Sequence, residues 1–231
     1  MTLPKRIFML ISLVLVTGSL AHLYSQDDEF GEDSKLNTNV GMSWTVPLHP
    51  TAKFVNHGWG VLAMGAGYNF NRNHALIGEF MWNSLYPTNE ALAPFRAASH
   101  SRDVHAHGNL FSITMNYRYE LRGEALGTYF IGGGGLYIRN AKISKPVITG
   151  NEIACTPVWL WWGFTCSSGT VSSDQTLASS SSGVFGVNAG IGFTAKVGEP
   201  RYRMYLEARY HYAPNKIINT QVIPITIGIR F

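Results

Sequence analysis

At 231 residues the chain has room for one ordinary domain, or for a short targeting segment followed by one domain. Only 14% of the residues are charged and the formal net charge is +4, against about 25% charged residues in soluble domains; no basic tract with interleaved aromatics occurs, which excludes a nucleic-acid-binding surface. In place of charge stand 24 Gly, 12 Phe, 11 Tyr and 6 Trp, a composition that fits strands whose outer wall faces lipid, and nothing beyond the N-terminal segment is apolar for long enough to form a helical span.

The N-terminal segment carries its own message. Lys5 and Arg6 precede the apolar run from Ile7 to Val16, which relaxes through Thr17, Gly18 and Ser19. This is the order of a secretory signal peptide, residues 1–25, with cleavage after 21 or 25. A helix reaching Leu20 would span only about 21 Å, short of a hydrocarbon core of about 30 Å. The acidic stretch Asp27 to Ser34 then belongs to a short periplasmic tail, residues 26–37, ahead of a barrel over 38–231.

Alternate side chains of a strand face opposite sides, so a strand in lipid places apolar residues at every second position. Eight segments do so. Strand one, Thr38 to Val46, turns Val40, Met42, Trp44 and Val46 outward, and strand two, Gly58 to Asn71, turns Leu62, Met64, Ala66, Tyr68 and Phe70. Strand three, Ala75 to Ser84, presents Leu76, Phe80 and Trp82; strand four, Asn109 to Glu120, sets Phe111, Ile113, Met115, Tyr117 and Tyr119 against Ser112, Thr114, Asn116 and Arg118. Strand five, Gly127 to Arg139, contains Gly132 to Gly135, which leaves its facing open. Strand six, Gly183 to Val197, strand seven, Arg201 to Tyr212, and a last strand with Ile223, Ile225, Ile227, Ile229 and Phe231 on one face complete the set.

The connections alternate between short and long, the longest, of about 43 residues, lying between strands five and six. Tight turns at the periplasmic end and longer loops at the other give this alternation in outer-membrane barrels. The expected fold is therefore an all-β, eight-stranded antiparallel transmembrane barrel. About eight strands enclose only enough space for side chains. Glu79, Arg118, Lys196, Arg203, Glu207, Arg209 and Arg230 fall on the inner faces, where charges must pair or be hydrated, so the lumen is expected to be plugged and salt-bridged.

With the strands placed, residues 38–231 resemble the small outer-membrane barrels grouped around OmpA and OmpX. The closing segment from Ile223 to Phe231 is similar to the assembly signal that ends such barrels: Phe231 matches it, while Ile229 stands where an aromatic is more usual. The resemblance implies insertion by the barrel assembly machinery. Leu76 to Asn83 and Glu207 to Tyr212 are similar to segments of bacterial outer-membrane barrels that carry no known activity to transfer.

Several features invite chemistry. Gly132 to Gly135 could suggest a phosphate loop, but Leu136, Tyr137 and Ile138 continue a strand where such a loop enters a helix. His211 to Asn215, expected at the outer rim, is faintly similar to the active region of PagL-like lipid A deacylases, yet Ala213 stands at the nucleophile position and the last strand supplies no carboxylate to orient the histidine. His100, His105 and His107 share a loop at a spacing that fits no strong metal motif. Cys155 and Cys166 sit in the longest loop and enclose Trp159, Leu160, Trp161, Trp162 and Phe164. In an exported protein a lone pair at this spacing forms a disulfide, and the enclosed aromatics make either an interaction tip or a cluster folded back over the barrel mouth.

The sequence thus predicts an exported, monomeric outer-membrane barrel with a structural or surface-interaction role, bathed in lipid and lipopolysaccharide, with no cofactor, no metal and no catalytic residue. An envelope enzyme acting on lipid A and a narrow channel are the competing readings. Conductance separates the second, and convergence of nucleophile, base and orienter separates the first.

Overall fold

The structure, a computed structural model, describes residues 35–157, 164–198 and 202–231. The signal segment lies outside the described residues. Eight strands follow one another round a closed antiparallel barrel, each paired with its chain neighbours and the last with the first. They are β1 Leu36–Pro47, β2 Gly58–Asn69, β3 His74–Leu85, β4 His105–Arg122, β5 Leu126–Pro157, β6 Phe164–Lys196, β7 Arg203–Ala213 and β8 Thr220–Arg230. β1 begins at Leu36, inside the segment expected as tail, because the ends meet there: Phe231 and Thr38 exchange backbone hydrogen bonds of 2.8 and 3.3 Å.

The alternation holds round the wall. Met42, Tyr68, Leu76, Ile113, Met115, Phe193, Leu206, Ile227 and Ile229 are exposed on the outside, while Asn39, Asn83, Asn116, Thr194 and Arg209 are buried inside. β5 resolves in the same way, with Tyr129, Ile131 and Tyr137 inward and Phe130 and Leu136 outward. β2 changes parity once. Between the pairs Gly41–Ala63 and Ser43–Gly60, β2 supplies one residue more than β1, a bulge at position 61 that lets both Trp59 and Leu62 lie on the outer side.

The longest connection is a correction to the sequence reading. It is not a loop: β5 and β6 continue well past the barrel and pair, across one bulge at Leu177 of β6 and one at Thr149 of β5, as far as Pro157 opposite Phe164. β4 accompanies β5 only to Ser144, and β7 joins β6 only from Val187. Beyond these points the described residues form a two-stranded ribbon, which at roughly 3.3 Å per residue reaches about 40 Å past the end of β4. The run of serine, threonine and glycine through the β6 half hides it from a search for alternation.

Two further corrections concern the same end of the barrel. His105 and His107, expected in a loop, belong to β4. The connection between β3 and β4 also holds a helix, α1 Asn89–Ser99, whose N-terminus is capped by Thr88 Oγ1 accepting from the Ala91 amide at 3.1 Å. A bridge between Val55 and Pro87 ties this connection to the one between β1 and β2.

Candidate functional site

The lumen is filled in three levels. At the end bearing the short turns, Glu120 accepts from Arg230 Nη1 at 3.1 Å and Thr194 Oγ1 at 3.1 Å, with Arg118 Nε at 3.5 Å and Arg122 Nη2 at 3.7 Å. These groups come from β4, β6 and β8, so the cluster ties strands that are not neighbours. Tyr129 links it to the middle level: the Arg230 guanidinium lies 4.9 Å from its ring centre, and its hydroxyl donates to Glu207 at 2.9 Å.

In the middle level Arg209 reaches both Glu207, at 2.8 Å from Nε, and Glu79 across the barrel. Glu79 also accepts from Asn39 at 3.3 Å and Asn116 at 2.6 Å, and Asn188 donates to Asn116 at 2.9 Å. Such a network is compensated where it stands, and removal of one member would leave buried charge behind. Glycines on the inner face make the room for the tyrosines. A Cβ on Gly192 would lie 2.2 Å from the Tyr129 ring, one on Gly186 would lie 2.8 Å from Tyr137, and one on Gly41 would lie 2.6 Å from the Tyr205 hydroxyl.

Toward the outer mouth the lining turns apolar. Leu85, Leu110, Tyr137, Ala213 and Val222 pack together inside the barrel, with Val55 of the first connection and Val184 of β6 against them. Arg139 lies beyond this ring and donates to Thr220 at 2.9 Å and Ser182 at 3.0 Å, from β5 to β8 and β6. His211, expected at the rim, is a buried inward residue with Nδ1 2.9 Å from the Tyr137 hydroxyl. The Tyr137 ring, part of the mouth cluster, meets its imidazole edge to face with centres 5.7 Å apart.

The expected lumen charges thus separate into two groups: Glu79, Glu207 and Arg209 in one, Arg118 and Arg230 in the other. Arg203 lies at the lower rim, donating to Thr194 at 3.4 Å and to the Gly123 carbonyl at 3.1 Å, and Lys196 stands opposite it in the register. The sequence reading missed Glu120 as the acid of the lower cluster, although it continues the inward series Ser112, Thr114, Asn116, Arg118.

Aromatic residues gather at both ends of the outer wall. Tyr68 with Phe70 and Tyr202 with Phe231 lie near the short-turn end, with ring centres 5.6 and 5.7 Å apart; Trp44 with Trp59 lies near the other, at 4.5 Å. Two such belts are the mark of a wall that crosses a bilayer. Ile229 faces outward within this wall, next to the closing Phe231.

In the ribbon, Cys155 stands directly opposite Cys166, and Cys155 is not a free thiol. Trp159, Leu160, Trp161 and Trp162 lie outside the described residues, and Phe164 opens β6. Among the described residues no group of His, Cys, Asp and Glu is disposed to hold a metal ion.

No protein-family model matches the chain, and no curated protein matches it. Solved structures do. Neisserial surface protein A superposes with a TM-score of 0.51 at 14% identity, covering 85% of this chain and 96% of that one. Ail, the attachment invasion locus protein of Yersinia pestis, gives 0.48 at 16% identity over 85% and 97%, and a major outer membrane protein from Thermus thermophilus gives 0.48 at 9% over 86% and 99%. At these identities the likeness is one of fold, that of the small outer-membrane β-barrels. The apolar wall between two aromatic belts agrees with it.

Proposed function

We propose that this integral β-barrel of the bacterial outer membrane is a closed, non-catalytic scaffold that presents the β5–β6 ribbon for contact at the cell surface. The observation that carries the reading is the double closure of the lumen. Buried ion pairs fill its lower and middle levels, and the ring of Leu85, Leu110, Tyr137, Ala213 and Val222 fills the mouth. A conducting pore needs a continuous wet path, which a side-chain-filled barrel of this size does not leave.

Catalysis finds no support at His211. Hydrolysis would need an exposed nucleophile, a base and an orienter converging on one point. His211 is buried and engaged by Tyr137, and the next inward residue of β7 is Ala213. What remains available outside is the ribbon, braced near its tip by the facing cysteines. In an exported chain, cross-strand cysteines fall within the Cα separation that a disulfide requires, and we take Cys155 and Cys166 to be bonded. The protein works as a monomer, surrounded by lipopolysaccharide on its outer half and inserted by the barrel assembly machinery through a last strand that includes Ile229 and Phe231.

Planar-bilayer recording on the purified barrel tests the closure. The expected record is a silent one. Stable conductance steps from the folded wild type would replace the scaffold by a channel.

A further inference from the structure

We infer that the acidic segment 27–34 docks on the basic mouth at the short-turn end of its own barrel and caps the lumen from the periplasmic side. This concerns the end opposite the ribbon and stands whether or not the ribbon makes contacts. The short-turn end is rich in cations. Lys35 precedes β1, Arg72 lies in the turn between β2 and β3, Arg118 and Arg122 fall in the last turn-proximal part of β4, Lys196 ends β6, Arg203 opens β7 and Arg230 ends β8. Among the described residues, the acids beside these seven are Glu120 and Glu124.

These cations crowd one another. Arg118, Arg122 and Arg230 all approach a single oxygen, Glu120 Oε2, at 3.5, 3.7 and 3.1 Å. Arg203 stands directly opposite Arg230 in one ladder and Lys196 in the other, and like charges so placed repel. Arg118 is buried, and its Nη1 has no hydrogen-bond partner, a costly state for a charged group out of water. Its Nη2 donates to Asn69 Oδ1 at 3.4 Å, and the same oxygen accepts from Asn37 Nδ2 at 3.2 Å. Arg118 is therefore linked through one side chain to the start of β1.

The segment ahead of β1 carries the matching charge. Asp27, Asp28, Glu29, Glu32 and Asp33 stand there with no base among them, as many charges as the seven bases hold in excess of the two acids. Asp33 comes four residues before Asn37. An extended chain covers about 3.5 Å per residue, so from that point the carboxylates reach about 14 Å at Asp33 and about 35 Å at Asp27. Their tether starts on the rim they would cover. Exposed ion pairs are individually weak. A tethered segment, however, acts at an effective concentration of about millimolar or above, with five carboxylates held to one site, and a free anion or an acidic partner has to compete with that.

The test uses the protein purified from the outer-membrane fraction, at one barrel per lipid nanodisc, and chymotrypsin, which cleaves after Phe30 within the segment. Release of the fragment ending at Phe30 is timed by mass spectrometry against a synthetic peptide of residues 26–37. At about 0.01 M salt, where charges act over about 30 Å, the barrel should be cut about tenfold more slowly than the peptide; at about 1 M, where they act over about 3 Å, the two rates should meet. Neutralising the segment (Asp27→Asn, Asp28→Asn, Glu29→Gln, Glu32→Gln and Asp33→Asn) leaves the barrel wall untouched and should remove the protection, measured against the peptide of the same sequence. Arg118→Gln, its folding checked by heat-modifiable gel mobility, should remove part of it. Inorganic phosphate at matched ionic strength should raise the urea midpoint of the neutralised variant and leave the parent's where it was. Cleavage of the parent at the peptide's rate in low salt, protection that survives neutralisation, indifference to Arg118→Gln, or an equal phosphate effect in both proteins, which would make this a site for free anions, overturns the inference. Conductance from the parent would sink the closed-scaffold reading and leave this one standing.

Discussion

The same two strands, β5 and β6, behave as two materials along their length. From Leu126 to Tyr137, and from Val187 to Lys196, each has a strand on both sides, lipid on one face and packed side chains on the other. Tyr129, Ile131 and Tyr137 alternate there with Phe130 and Leu136. Past Ser144 on β5, and before Val187 on β6, each strand has only its partner beside it, and β6 there turns to serine, threonine and glycine without a period. Side-chain alternation is thus a record of two different solvents, and the strand itself needs only the ladder. An isolated two-stranded hairpin is marginal in water, so the ribbon depends on anchoring at the barrel and, with the proposed disulfide, on a brace near its far end.

Substitutions matched between the two regions sharpen this contrast. The largest effect should come from Arg209→Met, which leaves Glu79 and Glu207 buried without their shared counter-charge. A loss of about 3 to 5 kcal/mol is expected, measured as a shift of the urea unfolding midpoint in lipid. Next is Leu206→Arg on the lipid face of β7, at about 2 to 4 kcal/mol, against Val147→Arg in the ribbon, which should stay within roughly 0.5 kcal/mol. Equal losses from that pair would show that the ribbon is not in water. Smaller again is Gly192→Ala, whose methyl meets the Tyr129 ring, at about 1 to 3 kcal/mol; Gly150→Ala in the ribbon, with nothing within 4 Å of the added carbon, should be silent. Least of all for the barrel is Cys155→Ser. It should abolish exchange protection of the ribbon amides near the tip, where a closed loop of this length is worth roughly 3 kcal/mol in the chain-entropy model, yet leave the barrel's unfolding midpoint where it was.

The fold was legible in the sequence wherever the wall divides lipid from lumen. Phe111, Ile113 and Met115 against Ser112, Thr114 and Asn116 read at sight, and so did the inward placement of Arg118, Glu207 and Arg209. Their partners did not, because Arg209 meets Glu79 across 130 positions of chain, and only the register of the closed barrel brings the two level. Glu120 was passed over as the end of a strand that in fact runs to Arg122. The apolar mouth was missed for a different reason: Leu85, Leu110 and Val222 lie on inward positions, where a polar lining was expected. The ribbon reads as a loop in the sequence because its β6 half is a run of serine, threonine and glycine, with none of the alternation that marks the wall strands.

The barrel stands by itself and the ribbon is carried on it. Residues 145–175 replaced by Asn-Gly, a two-residue turn suited to joining the paired Ser144 and Thr176, would keep every barrel ladder and remove the ribbon. Comparison of unboiled and boiled samples of the outer-membrane fraction by gel mobility, followed by urea unfolding in lipid, reads the result directly. The same heat-modifiable shift and the same midpoint as the parent are expected; loss of the folded form, or a midpoint clearly lowered, would show that the barrel needs the ribbon to stand.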